Sequence, residues 1–307
     1  MKNKKRIKLR GGDLVFTCVN SFLLTIAFII VLYPLLFVIS ASFSEPQAVA
    51  SGQMILLPVE PSLQAYKFIL DYDEIWIGYA NTIFYTFFGT LVNLILTIPC
   101  AYALSRRDCP LRTLIMTLFM ITMYFGGGLI PGYLNVKDLG LLNTRWIMLI
   151  SGGVSTYNLI VARTFFANTI PWELHEAAAL DGCSDMKMLL KIVLPLSSPI
   201  IVVLMLYYGV GHWNSYFNAM IYLSSRDKYP LQVFLREILT VGKFADAAFA
   251  SGDIMSAEET EALLKQVDTA NMIKYAVIVA ATAPMMAIYP WLQKYFAKGV
   301  MIGSVKG

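Results

Sequence analysis

A cluster of aromatic and amide side chains lies inside a long stretch that contains no charged residue. Its members are His212, Trp213, Asn214, Tyr216, Phe217 and Asn218. Aromatic rings pack against the C–H faces of sugars, while amide and phenol groups hydrogen-bond sugar hydroxyls. In one continuous helix, Trp213 would share a face with Phe217, and Asn214 with Asn218. The cluster therefore predicts a sugar-binding surface or, equally, an interfacial aromatic belt at a helix end.

A second candidate site is the amphipathic segment 168–191, which interrupts the apolar part of the chain. Pro171 suits a first helical turn, and two glutamates and three alanines follow it before Gly182 ends the helix. Pro195 and Pro199 predict a bend into the next apolar stretch. A short helix with a small-residue surface is typical of a docking site for a partner protein. A helix lying on the membrane surface fits the same pattern.

The apolar stretches lack the side chains that catalysis and proton transfer require. They contain no Asp, Glu, Lys or Arg, and His212 is their only histidine. Proton-coupled transporters use buried ionisable relays, and hydrolases need a general base or a metal site. We therefore predict no catalytic residue, metal site or cofactor in this chain, no nucleic-acid partner, and a neutral polar substrate. No GxxxxGK[ST] motif occurs, so energy from ATP would have to come through another subunit.

Membrane helices are the elements that must position these residues. The chain has 307 residues, of which 57% are hydrophobic and 14% charged, whereas about 25% are charged in soluble proteins. Most of its lysines and arginines fall in 1–13, 105–112, 163–191 and the tail from 294, which predicts that both ends lie inside. Six uncharged stretches are long enough to cross ~30 Å of hydrocarbon. They are 14–44, 75–105, 113–136, 146–162, 192–225 and 275–293.

Three local features add further expectations. The first apolar stretch is too long for a signal peptide and is predicted to be retained. The GGGLIP run at 126–131 predicts a helix break at the outer end of the third span. Residues Ser256–Glu259 form a capping-box pattern that predicts a short helix in a long outer loop.

The segment after Pro171 resembles the EAA loop of bacterial ABC import permeases. The matching residues are Glu176, Ala177, Ala178, Asp181, Gly182, Ile192, Leu194 and Pro195, with Cys183 where the family's DGA variant has alanine. Other stretches resemble the carbohydrate branch of these permeases, of the maltose-permease G-subunit type, and most of all its oligo- and polysaccharide permeases. They are 81–82, 127–131, 140–144, 211–223, 229–239 and 298–307.

The resemblance implies an all-α membrane protein with the type I ABC importer permease (MetI-like) fold, six transmembrane helices and cytoplasmic termini. It implies a basic N-terminal segment at 1–13, a first transmembrane helix at 14–44, a core transport domain at 72–295 and a cytoplasmic tail at 296–307. Within the core, it implies a cytoplasmic coupling loop at 168–191 and an extracellular loop at 223–271. In the family, the coupling loop sits in a cleft of the ATPase subunit, and the tail can reach the ATPase interface.

The implied function is that of a permease subunit, in the bacterial cytoplasmic membrane, that imports a neutral oligosaccharide. The implied partners are a second homologous permease, two ATP-binding-cassette ATPase subunits, an extracellular solute-binding protein and the lipid bilayer. ATP and Mg²⁺ would bind to the ATPases and not to this chain. Alternative interpretations are an ABC importer for amino acids or peptides, a stand-alone secondary transporter or channel, and a membrane enzyme.

Overall fold

The computed structural model describes residues 11–251 and 257–300, without the side chains of 242–244, 246–251, 257 and 291–300. The basic N-terminal residues 1–10, Ser256 of the predicted capping box and the tail residues 301–307 lie outside the described residues. All regular elements in the described part are helical. The α-helices are α1 (Gly11–Ser42), α2 (Pro46–Ala50), α3 (Gln64–Asp71), α4 (Asp73–Ser105), α5 (Arg112–Tyr124), α6 (Leu129–Asp138), α7 (Arg145–Ile150), α8 (Thr156–Thr169), α9 (Trp172–Leu180), α10 (Asp185–Met188), α11 (Leu194–Leu196), α12 (Ser198–Trp213), α13 (Phe217–Tyr222), α14 (Leu231–Ser251) and α15 (Ala257–Val300).

The chain divides into two compact units, and the first comprises Met1–Asp71 and Ile238–Ala280. In this unit α1 is a 32-residue apolar helix whose side chains are largely exposed, as expected of a helix that faces lipid. The segment that follows α1 folds back on it. The Tyr33 hydroxyl donates to the Ile55 carbonyl at 3.3 Å, and the Ser42 and Tyr66 hydroxyls lie 2.8 Å apart.

The second unit comprises Tyr72–Glu237 and Ala281–Gly307, and α4 lies at its centre. This 33-residue helix packs against α7, α8 and α12. Fully or almost fully buried apolar side chains fill the space beside it, among them Leu159, Phe166, Val193 and Leu204. Because α4 touches each of these helices, side chains along it can reach every functional segment of the unit.

Polar side chains of α4 hold irregular backbone in place. The Asn81 amide donates to the carbonyls of Asp227 and Tyr229 at 2.7 and 3.1 Å, and the Thr82 hydroxyl accepts from the Leu231 N–H at 2.9 Å. Non-helical backbone at membrane depth needs such internal partners because hydrocarbon offers none. These buried polar residues therefore position the segment 226–231, which consists of the 3-10 turn Arg226–Lys228, two non-helical residues and the first residue of α14.

Three described helices are long and apolar enough to cross a membrane, and two bent pairs raise the number of candidate spans to five. The bent pairs are α5 with α6, at 114°, and the helical segment Asp185–Leu196 with α12, at 85°. The break between α5 and α6 lies at 125–128, which confirms the predicted interruption at the GGGLIP run. The 85° bend lies between Pro195 and Pro199, as predicted.

Six spans are not confirmed, because the stretch 146–162 is not one helix. It is divided between α7 and α8 by non-helical residues 151–155. The predicted helix after Ser256 does begin at Ala257, but the prediction that it is short is wrong, since α15 runs for 44 residues. Its charged first turns resemble a loop in sequence, yet they continue without a break into the apolar stretch 275–293.

Candidate functional site

The helix of the EAA-like loop is α9, and its ends are formed as the sequence predicts. Pro171 immediately precedes the helix, and Gly182 follows it with φ +68°. The Cys183 N–H donates to the Ala178 carbonyl at 2.9 Å, and the Gly182 N–H donates to the Ala179 carbonyl at 3.0 Å. This pair of bonds is the Schellman motif, which requires a left-handed residue at the position of Gly182.

One face of α9 is anchored and the other is open. Ala178 is buried in the apolar core of the second unit, whereas Glu176, Ala177 and Asp181 are exposed. Leu180 is 90% exposed. Leu180 is not part of the family pattern. The one sequence signal for its exposure is that an apolar residue two positions after Ala178 lies on the opposite side of the helix. The free face thus combines acidic side chains, small residues and the projecting side chain of Leu180.

Aromatic stacking joins α9 to the end of α4. The His175 ring stacks on Trp172 with centroids 5.1 Å apart, and on Tyr102 of α4 at 5.9 Å. Both interplanar angles are near 15°. A displacement of α9 would therefore have to move the end of α4 or break this stack.

An arginine connects the end of α4 to the second half of the loop. Arg106, whose side chain is 17% exposed, pairs with both Asp108 and Asp185, the first residue of α10. Hydrogen bonds from Arg106 hold the pKa of Asp108 below its usual range. A lowered carboxylate pKa means that the pair contributes stability above the ordinary Asp pKa and loses it only as the pH falls through the lowered value. The Arg106–Asp108 pair is therefore insensitive to pH near neutrality.

The remaining EAA-like residues lie at the bend before α12. Residues Leu189–Val193 form a π-helical turn that contains Ile192, and Leu194 and Pro195 follow it in α11. Ile192 and Leu194 are partly buried against the core, whereas Pro195 is exposed. The EAA residues of the pattern thus lie in α9, before Gly182, and the Ile192, Leu194 and Pro195 positions lie after it, in the π-helical turn and α11.

If the EAA-like loop couples transport to ATP hydrolysis, as the resemblance implies, Arg106→Gln is expected to lower the solute uptake per ATP hydrolysed two- to fivefold with little change in thermal stability. The ion pairs are partly exposed and contribute about 1 kcal/mol at most, so the fold survives while the connection to α10 weakens. Uptake and ATP hydrolysis would be measured together in reconstituted vesicles. The neighbouring exposed residue gives a matched control, Arg107→Gln, which should behave as wild type. Equal coupling ratios in both variants would contradict the role of Arg106.

The aromatic cluster at 212–218 is not one helical face. Helix α12 ends at Trp213, and α13 begins at Phe217, so the predicted pairing of faces is wrong. Trp213 is buried and its indole N–H donates to the Ala281 carbonyl at 3.0 Å. The Asn214 amide donates to the Val210 carbonyl of its own helix end.

Tyr216 and Phe217 are 41% and 50% exposed, and Arg236 lies 5.2 Å from the Tyr216 ring centroid. A polar cavity of about 260 Å³ lies within the second unit, and His212 and Asn218 line it. Tyr216 and Phe217 are not part of this lining. Residues of α4, α8 and α12, together with the non-helical segment before α8, supply most of the remaining polar lining. These residues are Asn93, Ser151, Ser155, Asn158 and Tyr208.

A network of hydrogen bonds shapes the cavity wall. His212 Nε2 lies 2.7 Å from Asn93 Oδ1, and the Asn93 amide nitrogen donates to the carbonyls of Gly152 and Gly153 at 3.2 and 2.9 Å. The Tyr208 hydroxyl accepts from the Ser155 N–H at 3.1 Å. The lining that the described residues form contains no Asp, Glu, Lys or Arg. The cavity can therefore offer hydrogen bonds to a polar solute without a fixed charge.

Sequence reasoning did not single out the residues that α4 and α8 contribute to this cavity. A signal was present, since Asn93 is a buried polar residue in an apolar stretch and Thr97 lies one helical turn further on. Such residues are conspicuous in a membrane helix because each needs an internal partner. The distance in sequence between Asn93 and His212 conceals their contact.

Residues 75–302 match the family described as binding-protein-dependent transport system inner membrane component. The chain belongs to this family. It is thus an inner-membrane, multi-pass permease subunit of an ABC transporter complex and is not itself catalytic. Family membership also excludes the stand-alone secondary transporter and the membrane enzyme as interpretations of the sequence.

Individual relatives of this permease are similar over nearly the whole chain. It is 43% identical over 291 residues to the polygalacturonan/rhamnogalacturonan transport system permease protein YtcP of Bacillus subtilis, covering 94% of this chain and 97% of that protein. It is 27% identical to the arabinooligosaccharides transport system permease protein AraQ of Halalkalibacterium halodurans, covering 94% of this chain and 97% of that protein. A chain from the crystal structure of a bacterial ABC transporter involved in the import of the acidic polysaccharide alginate superposes with a TM-score of 0.80 and 35% identity, covering 96% of this chain and 100% of that one.

Proposed function

We propose that this permease subunit carries oligosaccharides, or fragments of polysaccharides, into the cell. The observation that carries the proposal is the similarity over almost the full length to permeases of saccharide importers, YtcP and AraQ among them. The uncharged, hydroxyl- and amide-lined cavity of the second unit supports it, because sugars present many hydroxyl groups and few charges.

The exposed face of α9 transmits closure of the ATPase subunits to the spans. In this proposal Glu176, Ala177, Asp181 and Gly182 meet the ATPase, and Ala178 holds α9 to the core. Ile192, Leu194 and Pro195 carry the movement through the 85° bend into α12. The stack of His175 on Tyr102 supports the idea that α9 and α4 move together.

The assembly contains a second homologous permease, two ATPase subunits that bind ATP and Mg²⁺, and an extracellular protein that delivers the sugar. The chain crosses the membrane six times with both ends inside, and α7 and α8 together form the crossing that is not one helix. Residues 168–191 then lie at the cytoplasmic side and 223–271 at the outer side. The paired breaks at 125–128 and 151–155 support irregular backbone beside a solute path.

The charge of the sugar is a separate matter. The absence of charged residues in the spans favours a neutral sugar. The alginate transporter, however, is described as importing an acidic polysaccharide, and this chain is 35% identical to one of its chains. The histidine in the cavity lining bears directly on this choice.

Co-purification tests the assembly. The tagged chain would be extracted gently from its native membrane, and its partners identified by mass spectrometry. We expect a second permease and an ATPase, and we expect oligosaccharides to stimulate ATP hydrolysis by the complex. Recovery of the chain alone under several mild detergents would count against the assembly. Stimulation by amino acids or peptides, and not by sugars, would replace the proposed substrate class.

Leu180→Glu is expected to lower the amount of co-purified ATPase about tenfold. Burying a leucine side chain contributes ~1.5–3 kcal/mol, and an unpaired carboxylate in an apolar cleft costs more. Because Leu180 is 90% exposed in this chain, the substitution should leave the fold intact. Leu139, which is 62% exposed in the turn after α6, provides the control substitution Leu139→Glu. Unchanged ATPase recovery with Leu180→Glu would argue that α9 docks through another face.

A further inference from the structure

Among the described residues that line the cavity, His212 is the only one whose side chain can gain or lose charge near neutral pH. The helices and connecting segments around the cavity contribute no Asp, Glu, Lys or Arg to the lining, and Tyr207 and Tyr208 are its only other ionisable groups. A tyrosine ordinarily titrates near pH 10 and a histidine near 6.5. Any charge that the cavity wall acquires under physiological conditions therefore belongs to His212.

The contact with Asn93 determines which nitrogen of His212 carries the permanent proton. The Asn93 amide nitrogen donates to the carbonyls of Gly152 and Gly153, so its oxygen is the atom that faces His212 Nε2. An amide oxygen only accepts hydrogen bonds, and Nε2 must therefore be the donor. Nδ1 is left as the nitrogen that binds and releases a proton, and protonation there requires no change at Asn93.

The His212 ring is also held from the side of α4. A Cβ atom at Gly89 would lie 2.5 Å from both Cε1 and Nε2 of His212 and 2.8 Å from Nδ1, so the ring occupies the space that a side chain would need. Nδ1 has no hydrogen-bond partner among the described residues. The ring is thus fixed while one of its polar atoms stays available to a solute.

Asn158 adds a second available group to the same cavity. It is 5% exposed, and its side-chain amide has no hydrogen-bond partner within the described part of the chain. Its side-chain oxygen and nitrogen are not fully enclosed, so they open onto the cavity and can be reached by water or by a solute. A bound solute would supply the missing partner.

We propose that His212 binds the carboxylate of an acidic sugar unit, a uronate, through its protonated Nδ1, with the Asn158 amide as a second donor. This inference depends on the proposed import of oligosaccharides. A neutral sugar hydroxyl needs only the serine, asparagine and tyrosine groups already present, whereas a carboxylate in an uncharged cavity needs a cation. A titrating histidine supplies that cation when the sugar is bound.

The sign of the pH dependence follows from this arrangement. A carboxylate beside the ring favours the imidazolium, so binding of an acidic sugar takes up one proton from the solvent and strengthens as the pH falls through the histidine range. A neutral sugar that donates a hydroxyl to unprotonated Nδ1 would bind better as the pH rises. The two substrate classes therefore give opposite pH profiles.

The experiment uses the complete transporter with its binding protein and ATPases in vesicles. The probes are a galacturonate trisaccharide and the same trisaccharide methyl-esterified at its carboxyl groups, each supplied at saturation between about pH 5.5 and 8. The ratio of acidic to esterified uptake is the readout, because it cancels differences in folding and amount between variants. We expect the ratio in wild type to rise as the pH falls.

His212→Gln keeps a hydrogen-bonding side chain but cannot become a cation. It should lower the ratio about tenfold and abolish its pH dependence, since hydrogen bonds to charged groups are among the strongest. Asn93→Asp places a carboxylate against Nε2–H and stabilises the imidazolium, but it gives up the two bonds to the Gly152 and Gly153 carbonyls. Total uptake of both sugars should therefore fall, while the ratio of acidic to esterified uptake should stay high to higher pH. A role for His212 in structure alone would produce neither change.

Several results would overturn the proposal. Equal loss of both sugars in His212→Gln would make His212 a structural residue, and an unchanged ratio would show that it does not contact the acidic group. Uptake of the ester alone by wild type would assign a neutral substrate while leaving the importer function intact. Uptake of neither sugar, with stimulation by another solute class, would overturn the proposed function and this inference with it.

Discussion

Gly182→Val is expected to reduce ATP-dependent sugar uptake by about tenfold while the chain still inserts into the membrane. Gly182 has φ +68°, and a Cβ added there would meet no atom within 4 Å. The loss would therefore come from the backbone and not from a clash. A left-handed conformation costs a side-chain-bearing residue roughly 1–2 kcal/mol, and it is most unfavourable for a β-branched one.

That cost is sufficient to displace the Schellman turn in most molecules, since 1–2 kcal/mol changes an equilibrium by a factor of about 5–30. The turn connects the exposed face of α9 to the segment held by Arg106, so a displaced turn would separate ATPase movement from the bend before α12. Uptake and ATP hydrolysis would be measured on the same vesicles, after the amount of inserted chain is established.

Two controls isolate the backbone of this turn. Asparagine tolerates the left-handed conformation better than valine, so Gly182→Asn should retain most of the uptake. Gly140 has the same φ of +68° and the same open surroundings, in the turn between α6 and α7. Gly140→Val carries the same strain elsewhere and should affect coupling far less. A loss of uptake as large in Gly140→Val would indicate general destabilisation.

The structure of the coupling segment could be predicted because its determinants are local. Pro171 at the start of α9, Gly182 at its end and the two prolines around the 85° bend each act within a few residues. The Arg106–Asp185 pair could not be predicted in the same way. It joins residues 79 positions apart, and nothing in either local sequence indicates the partner.

The geometry of the cavity, in contrast to that of the coupling segment, could not be predicted from local sequence. His212 and Asn218 were identified as candidates, but the assumption of a continuous helix grouped them with Trp213 and Phe217. The chain leaves the helix at 214–216, so the Trp213 indole is buried and donates to the Ala281 carbonyl, while the histidine contacts Asn93 of α4. Residue types indicated the chemistry, whereas the geometry depends on contacts between helices distant in sequence.

The six predicted spans are not confirmed, for a related physical reason. An uncharged stretch such as 146–162 satisfies the length requirement, yet hydropathy does not register backbone that leaves the helix. Residues 151–155 can do so because the Asn93 amide and the Tyr208 hydroxyl bond to this segment. Partners from other helices thus permit irregular structure that composition alone would exclude.

Gly89→Ala is expected to lower uptake of the acidic trisaccharide about tenfold, approaching the effect of His212→Gln. The new methyl group would lie 2.5–2.8 Å from three atoms of the His212 ring, closer than non-bonded atoms approach. Either the ring moves away from Asn93 or α4 and α12 separate, and overpacking of this kind typically costs ~1–3 kcal/mol. In both cases Nδ1 leaves the position in which it meets a solute.

Gly209→Ala is the matched control for a helical glycine between α4 and α12. Its nearest contacts would be Thr90 and Thr86 at 3.7 and 4.0 Å, which is ordinary packing distance, so uptake should stay near wild type. A double-mutant cycle then assigns the effect of Gly89→Ala to the ring. In the His212→Ala background the methyl group meets no imidazole, and Gly89→Ala should cause no further loss of uptake. Additive losses would show instead that Gly89→Ala acts on helix packing independently of His212.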